Sequence, residues 1–149
     1  MLRVPDATPR VRVAAYVLRR RPDRPTELLV FDHEADLPPG THVPAGGVAL
    51  GETLEQAVIR EVREETGLHD ARIVRILGDD HTVHPIRGFA RHTTYLQLTA
   101  DPATPDAWNH QVTGTGRDEG MTFRCRFVPL PLTFHLADGQ DAWLHRLDI

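Results

Sequence analysis

Apolar and polar positions alternate, and then give way to apolar runs, in several short stretches of the chain. Arg10–Arg20 and Thr26–Glu34 follow this pattern on either side of the turn "RPDRP", which predicts two strands joined as a hairpin. The same reasoning predicts a short extended piece around His42–Val43 and strands at Ala71–Asp79, Arg91–Ala100 and Met121–Leu130. The chain is therefore predicted to be built around a β-sheet.

A helical period replaces the alternation in the segment "GETLEQAVIREVREETGL". Leu54, Val58 and Val62 fall on one stripe of this helix, which is the side predicted to face the core. Thr53, at the start of "TLEQ", fits the first position of a capping box, and Gly67 stands where a left-handed C-cap residue is typical. The segment "DGQDAWLHRL" predicts an amphipathic C-terminal helix. Strands on both sides of a central helix indicate an α/β sandwich with a mixed sheet.

The size and charge of the chain limit the classes of protein it can belong to. Its 149 residues suit a single domain over residues 1–149. With a net charge of −4, we expect no basic surface for a nucleic-acid duplex or a membrane. No run reaches the roughly 18–20 apolar residues that cross a bilayer, and "MLRVPDATPR" lacks the apolar region of a signal peptide, so we expect a cytoplasmic protein. Cys125 stands alone, which excludes an internal disulfide.

Three glutamates lie on the helix where the apolar stripe is expected to be buried. At about 100° per residue, Glu61 and Glu65 fall within about 20° of Leu54, and Glu64 lies to one side. Glu61 and Glu65 are four residues apart, so their like charges destabilise the helix. One interpretation is a solvated charged face balanced by Arg60 and Arg63. A divalent cation such as Mg²⁺, which prefers carboxylate and phosphate oxygens, resolves the conflict more completely.

A glycine-rich loop precedes the helix and completes a longer pattern. From Gly46 the chain reads one glycine, five residues, Glu52, seven residues, "REV", one residue, "EE", one residue and "GL". This string, which ends at Leu68, resembles the Nudix box, the signature of the Nudix hydrolase superfamily. The resemblance implies the Nudix-type α/β/α sandwich, in which a catalytic loop–helix–loop carries the site.

The resemblance also implies a role for each matching residue. With Mg²⁺ as the expected ion and Mn²⁺ as the alternative, the metal ligands would be the backbone carbonyl of Gly46 and the carboxylates of Glu61, Glu64 and Glu65. Glu61 or Glu64 would act as the base that activates water. Glu52 and Arg60 would form the ion pair that holds the loop against the helix.

The implied activity is that of a pyrophosphohydrolase. Its small-molecule partner would be a nucleoside diphosphate linked to another moiety, such as a nucleotide, a nucleotide sugar, ADP-ribose or a dinucleoside polyphosphate. Two alternatives stay open. A Nudix-fold domain could bind a nucleotide in a regulatory role without hydrolysis, although such modules usually lose one or more of the box glutamates. An isopentenyl diphosphate isomerase has a related fold but needs an active-site cysteine, for which Cys125 in a predicted strand is a poor fit.

Residues outside the box are candidates for further catalysis and binding. Family members often recruit an additional base from a loop, and "GTGRDEGM" offers Glu119, with Asp118 as the second choice and an ordinary solvated turn as the alternative. An aromatic residue is more often a packing residue than a stacking partner. With that alternative in mind, the candidates for contacts with substrate are Arg12, His84 and Trp108. The long excursion Asp101–Arg117 could contribute to a homodimer, which is common in the family.

Overall fold

The computed structural model describes residues 8–35, 39–84, 86–114, 116 and 118–149. In these residues the chain forms eight strands, one α-helix and two short 3₁₀ helices. The strands are β1 (Arg10–Arg19), β2 (Glu27–His33), β3 (Thr41–His42), β4 (Ala45–Gly47), β5 (Arg72–Val83), β6 (Ala90–Thr99), β7 (Ala107–Gln111) and β8 (Thr122–Pro129). The helix α1 is Leu54–Thr66, and the 3₁₀ helices are Ala137–Gly139 and Leu144–Arg146. The predicted strands and central helix are present, with ends that differ by a few residues.

The strands of the described residues form one mixed sheet. Its main path is β5-β6-β1-β2-β8-β7, in which β1 and β6 are parallel and the other neighbours are antiparallel. β1 and β2 pair only at Leu18↔Leu28 and Arg19↔Glu27, so the remainder of the two strands separates. The short strands occupy this gap, with β3 against β2 and β4 against the first half of β1. β4 therefore lies inside the sheet, where α1 contacts it.

Each face of the sheet carries its own apolar core. On one face, alternate residues of β1 and β6 pack against the inner stripe of α1, among them Val13, Leu98 and Val58. On the opposite face, Tyr16 belongs to a second cluster that the C-terminal segment, residues 130–147, covers with Leu136 and other apolar side chains. The helix, the sheet and the C-terminal segment form three layers. This arrangement confirms the predicted α/β sandwich with a mixed sheet.

Two regions differ in detail from the prediction. The excursion Asp101–Arg117 contains β7, which pairs with β8 at the edge of the sheet; Thr115 and Arg117 lie outside the described residues. The sequence "AWNHQ" lacks the apolar pattern from which a strand is predicted, because a strand at an exposed edge needs few apolar side chains. The expected C-terminal helix is present as two separate 3₁₀ helices. Asp138 and Gly139 have φ angles of 56° and 64°, which a continuous α-helix does not allow.

Helix α1 begins and ends as its sequence predicts. The Thr53 hydroxyl accepts a hydrogen bond from the Gln56 N–H at 3.1 Å, and the Thr53 N–H donates to the Gln56 side chain at 3.0 Å, which completes the capping box. Gly67 ends the helix with a φ of 80°. Neither α1 nor any other helix in the described part of the chain has the length and apolar character that a membrane crossing requires.

Candidate functional site

Helix α1 presents its glutamates toward the sheet. Glu61 and Glu65 are buried, with 9% and 6% of their surface exposed, and the Glu64 side chain is 19% exposed. The prediction that carboxylates share the buried stripe of the helix is therefore confirmed for Glu61 and Glu65. Val58 and Val62 are buried on the same stripe, so the packing that holds α1 on the sheet also holds these carboxylates in place.

Strand β4 lies directly against the Glu61 side chain. Gly46 of β4 pairs with Val13 of β1. A Cβ atom at Gly46 would lie well under 3.0 Å from the carboxyl carbon of Glu61, so the carboxylate occupies the space that a side chain would need. The neighbouring Ala45 N–H donates to Oε1 of Glu65 at 2.8 Å. Glycine at position 46 thus leaves room for the close approach of the Glu61 carboxylate to the strand backbone.

One arginine connects the loop after β4 to the glutamates. Nε of Arg60 lies 2.7 Å from Oε2 of Glu52. Nη1 of the same side chain donates to Glu61 at 2.8 Å and to Glu64 at 3.2 Å. Its Nη2 donates to the backbone carbonyl of Gly47 at 2.8 Å. The hydrogen bonds from Arg60 lower the pKa of Glu52 to about 2, so this carboxylate stays charged and the loop stays tied to the helix.

The buried carboxylates have too little positive charge around them. Burial raises the pKa of Glu61 to about 7 and the charge of Glu64 adds to the rise, although Arg60 and Arg12 oppose it. Burial also raises the pKa of Glu65 well above its ordinary value, and the charge of Glu61 adds to that rise. Ionisation of such carboxylates and binding of a cation favour each other. The site is therefore suited to a multiply charged cation.

The raised pKa of Glu61 predicts a pH dependence of stability for the metal-free protein. Its pKa is about 7, compared with an ordinary value of 4.5, so the folded state binds more protons than the unfolded state between these values. The contribution of Glu61 to the free energy of unfolding should therefore fall as the pH rises through this window, by at most about 3 kcal/mol. Urea unfolding of wild type and Glu61→Gln in EDTA measures the effect. A difference between the two proteins that does not change with pH contradicts the prediction.

The loop between β7 and β8 approaches the same helix. A Cβ atom at Gly114, whose φ is 95°, would lie 2.6 Å from the carboxyl carbon of Glu64. Asp118 is half-buried in this loop and adds to the raised pKa of Glu65, whereas Glu119 is exposed. Of the two loop carboxylates considered from the sequence, Asp118 therefore has the evident electrostatic effect on the glutamates.

A cavity of about 240 Å³ opens on the face of the sheet that the C-terminal segment covers. Arg12 of β1 is among its lining residues. The positive charge of Arg12 also lowers the pKa values of Glu61 and Glu65, against the larger effect of burial. The Arg12 guanidinium therefore contributes positive charge both to the cavity and to the glutamates.

The polar wall of the cavity was not predicted from the sequence. Arg91 is buried and donates to Asp138 twice, from Nη1 at 2.7 Å and from Nη2 at 2.9 Å. Burial opposes ionisation of Asp138, but Arg91 holds the pKa of this carboxyl below its usual range. Thr93 and Tyr95 follow Arg91 on the same face of β6 and also line the cavity. The sequence signal that could have predicted this wall is the alternation of side chains along β6, which places Arg91, Thr93 and Tyr95 on one face.

Two candidates for substrate contacts have other partners in the structure. Nε1 of Trp108 donates to the backbone carbonyl of Thr66 at 2.7 Å, so Trp108 supports the C-terminal end of α1. Nδ1 of His84 accepts hydrogen bonds from backbone N–H groups in the turn after β5. Neither side chain lines the cavity, whereas Arg12, the third candidate, does.

Comparisons with known proteins find sequences and folds similar to this chain. A family model described as the NUDIX domain matches residues 8–146. The protein "Putative nudix hydrolase 1" of Caenorhabditis elegans is 41% identical over 64 residues, which are 43% of this chain and 17% of that protein. The chain therefore spans far less than two thirds of the length of this relative.

Two solved structures share the fold. A crystal structure of UDP-X diphosphatase has a TM-score of 0.65 at 15% identity, over 96% of this chain and 63% of the other. The crystal structure of the Caenorhabditis elegans Ap4A hydrolase has a TM-score of 0.64 at 17% identity, over 93% of this chain and 96% of the other. At these identities the likeness shows the fold alone.

Proposed function

The chain belongs to the NUDIX family, and from this premise we propose that it is a Mg²⁺-dependent pyrophosphohydrolase. The substrate is a nucleoside diphosphate linked to another moiety, and the reaction is hydrolysis of its diphosphate bond. The observation that carries the proposal is the position of the Glu61 and Glu65 carboxylates. Both are buried on one stripe of α1, and both lie against the backbone of β4. The fold shared with a UDP-X diphosphatase and an Ap4A hydrolase supports this substrate class.

The donor set fits Mg²⁺. Glu64, the two buried glutamates and the backbone carbonyl of Gly46 offer oxygen atoms, which this ion prefers to nitrogen or sulfur. The raised pKa values of Glu61 and Glu65 support the fit, because they indicate carboxylates without a matching cation. Mn²⁺ accepts the same ligands and is the alternative ion. When bound, the ion neutralises phosphate charge and lowers the pKa of a water molecule.

The residues around the diphosphate have separate tasks in this proposal. Arg60 remains paired with Glu52 and keeps the loop after β4 in position against α1. Glu61 or Glu64 accepts the proton of the attacking water.

The loop between β7 and β8 supplies a further carboxylate to the reaction. Glu119 was the first choice from the sequence and Asp118 the second. The electrostatic effect on Glu65 favours Asp118, which is also the less exposed of the two. We therefore place Asp118 ahead of Glu119 as the residue that assists the helix glutamates.

The cavity is the proposed binding place for the nucleoside or for the moiety linked to it. Arg12 lines the cavity and its positive charge also reaches Glu61, which suits a phosphate chain that crosses between the cavity and the glutamates. The Arg91–Asp138 pair and the neighbouring Thr93 offer donors and acceptors for the edge of a base or for the hydroxyls of a sugar.

A hydrolysis panel tests the proposal. The wild-type protein is incubated with nucleoside triphosphates, oxidised nucleotides, ADP-ribose, nucleotide sugars and dinucleoside polyphosphates, in Mg²⁺ and in EDTA. We expect turnover of one substrate class, with release of a nucleoside monophosphate, in Mg²⁺ only. Addition of excess Mg²⁺ to the EDTA sample should restore the activity.

The panel also separates hydrolysis from binding alone. The same compounds are tested for an increase in melting temperature, which reports binding to the folded state. A compound that stabilises the protein in Mg²⁺ without being cleaved, with no turnover of any other compound, contradicts the proposal and favours a nucleotide-binding domain.

A further inference from the structure

A second group of metal-binding side chains lies on the strand pair β5–β6. His81 and His92 stand directly opposite each other in the strand register. Asp79 lies two residues before His81, so its side chain is on the same face of β5. One ligand atom from each of these three residues lies within 4.8 Å of the other two. The pairing of the strands thus brings together two imidazoles and one carboxylate.

This group is separate from the helix glutamates. β4, which contacts Glu61, pairs with one edge of β1, and β6 pairs with the opposite edge. At about 4.8 Å between neighbouring strands, the histidines lie on the order of 10–15 Å from the backbone of Gly46. None of the three side chains lines the cavity described above. A ligand at this group would therefore lie outside the cavity and away from the helix glutamates.

The three side chains already contact one another. The rings of His81 and His92 are stacked, with centroids 4.1 Å apart and planes 21° from parallel. Nε2 of His92 contacts Oδ2 of Asp79. Asp79 and His81 are exposed and His92 is half-buried, so an ion can reach the group from solvent. A metal ion binds the unprotonated nitrogen of an imidazole, so one ion can be shared by the two adjacent rings.

We propose that Asp79, His81 and His92 form a binding site for Zn²⁺ or a transition-metal ion of similar chemistry. Two imidazole nitrogens and one carboxylate oxygen are ligands that Zn²⁺ accepts, and water completes the coordination. Donor atoms about 2.0–2.1 Å from Zn²⁺ lie about 3.3 Å apart in a tetrahedron, which exposed side chains reach by small rotations. Mg²⁺ prefers oxygen donors, so the two sites of the protein select different ions.

Zn²⁺ titration in a calorimeter tests this site, with the full chain held in excess Mg²⁺ and without substrate. We expect the wild-type protein to bind one equivalent of Zn²⁺, and we expect His92→Ala and His81→Ala to weaken the Kd by at least about tenfold. Asp79→Asn, which keeps the shape of the side chain, should also weaken binding. His69→Ala removes an exposed histidine outside the group and should leave the Kd unchanged.

Three results overturn the proposal. The first is a wild-type protein that binds no Zn²⁺, which leaves the group as a histidine–aspartate pair with a stacked second ring. The second is an unchanged Kd in the variants of the group. The third is loss of the Zn²⁺ equivalent in Glu64→Gln, which places the ion at the helix glutamates. Circular dichroism shows which variants are folded. If His81→Ala or His92→Ala is unfolded, the Kd of Asp79→Asn tests the proposal instead.

Discussion

Gly46→Ala is expected to lower kcat/KM by about 100-fold while the protein stays folded. The new Cβ would overlap the carboxylate of Glu61, which must then move by about 1 Å, and a misplacement of that size can cost about 100-fold in rate. The carboxylate is the end of a flexible side chain, so it can move without unfolding the strand. Gly46 is also not among the glycines with positive φ, so alanine causes no backbone strain at this position.

Gly47→Ala is the matched control for this variant. Gly47 is the next residue of β4, and a Cβ there would meet no atom within 4 Å. Its backbone carbonyl, which accepts a hydrogen bond from Arg60, is retained in alanine. We expect this protein to keep the wild-type kcat/KM and Tm in Mg²⁺. Equal activity of the two variants would show that turnover does not depend on how closely Glu61 approaches β4.

The helix and its buried glutamates were predictable because every signal for them is local. The capping box and the C-cap glycine lie within a turn of the ends of α1. The burial of Glu61 and Glu65 follows from their angular distance to Leu54, which depends only on helix geometry. Given an apolar stripe that packs on the sheet, no information from the rest of the chain was needed to place these carboxylates.

The cavity and the histidine group depend on distant contacts and could not be predicted in the same way. Arg91 and Asp138 are 47 residues apart, and they meet because the C-terminal segment crosses the sheet. His81 and His92 meet because of the register of β5 and β6, which shifts between Ile76 and Gly78. A register different by one residue would place His81 on the other face of the strand.

Residue type alone does not distinguish between the possible uses of Trp108. An indole can stack on a base or pack against a core, and its sequence context did not distinguish these uses. The structure places Trp108 on β7, an edge strand with too few apolar residues to be recognised from the sequence. Once β7 pairs with β8, the Trp108 ring lies beside α1 and its N–H reaches the carbonyl of Thr66.

The glutamates make α1 less stable than an apolar stripe would. Glu61 and Glu65 occupy buried positions beside Val58 and Val62, and burial opposes their ionisation. A charge that opposes folding but serves the reaction has a recognisable signature, because removing it lowers activity without lowering stability. Glu64 offers the clearest test of this signature, since it is the least buried of the three helix carboxylates.

Glu64→Gln should lower kcat by about 10²–10⁴-fold and leave Tm unchanged or slightly higher. Glutamine keeps the shape of the side chain but removes the charge that binds a cation or accepts a proton. The charge of Glu64 raises the pKa of Glu61, so its removal relieves repulsion between them, which offsets the loss of one ion pair to Arg60. Steady-state kinetics, calorimetric Mg²⁺ binding and thermal unfolding of the same preparation measure the three quantities.

Glu55→Gln is the control, because Glu55 is an exposed glutamate in the first turn of the same helix. Its replacement should preserve kcat and Mg²⁺ affinity, since the side chain lies outside the cluster that Arg60 connects. Wild-type turnover by Glu64→Gln would remove this carboxylate from the reaction. Loss of turnover together with a large fall in Tm would instead assign the charge of Glu64 to the fold, because a carboxylate that serves only the reaction can be neutralised without unfolding the helix.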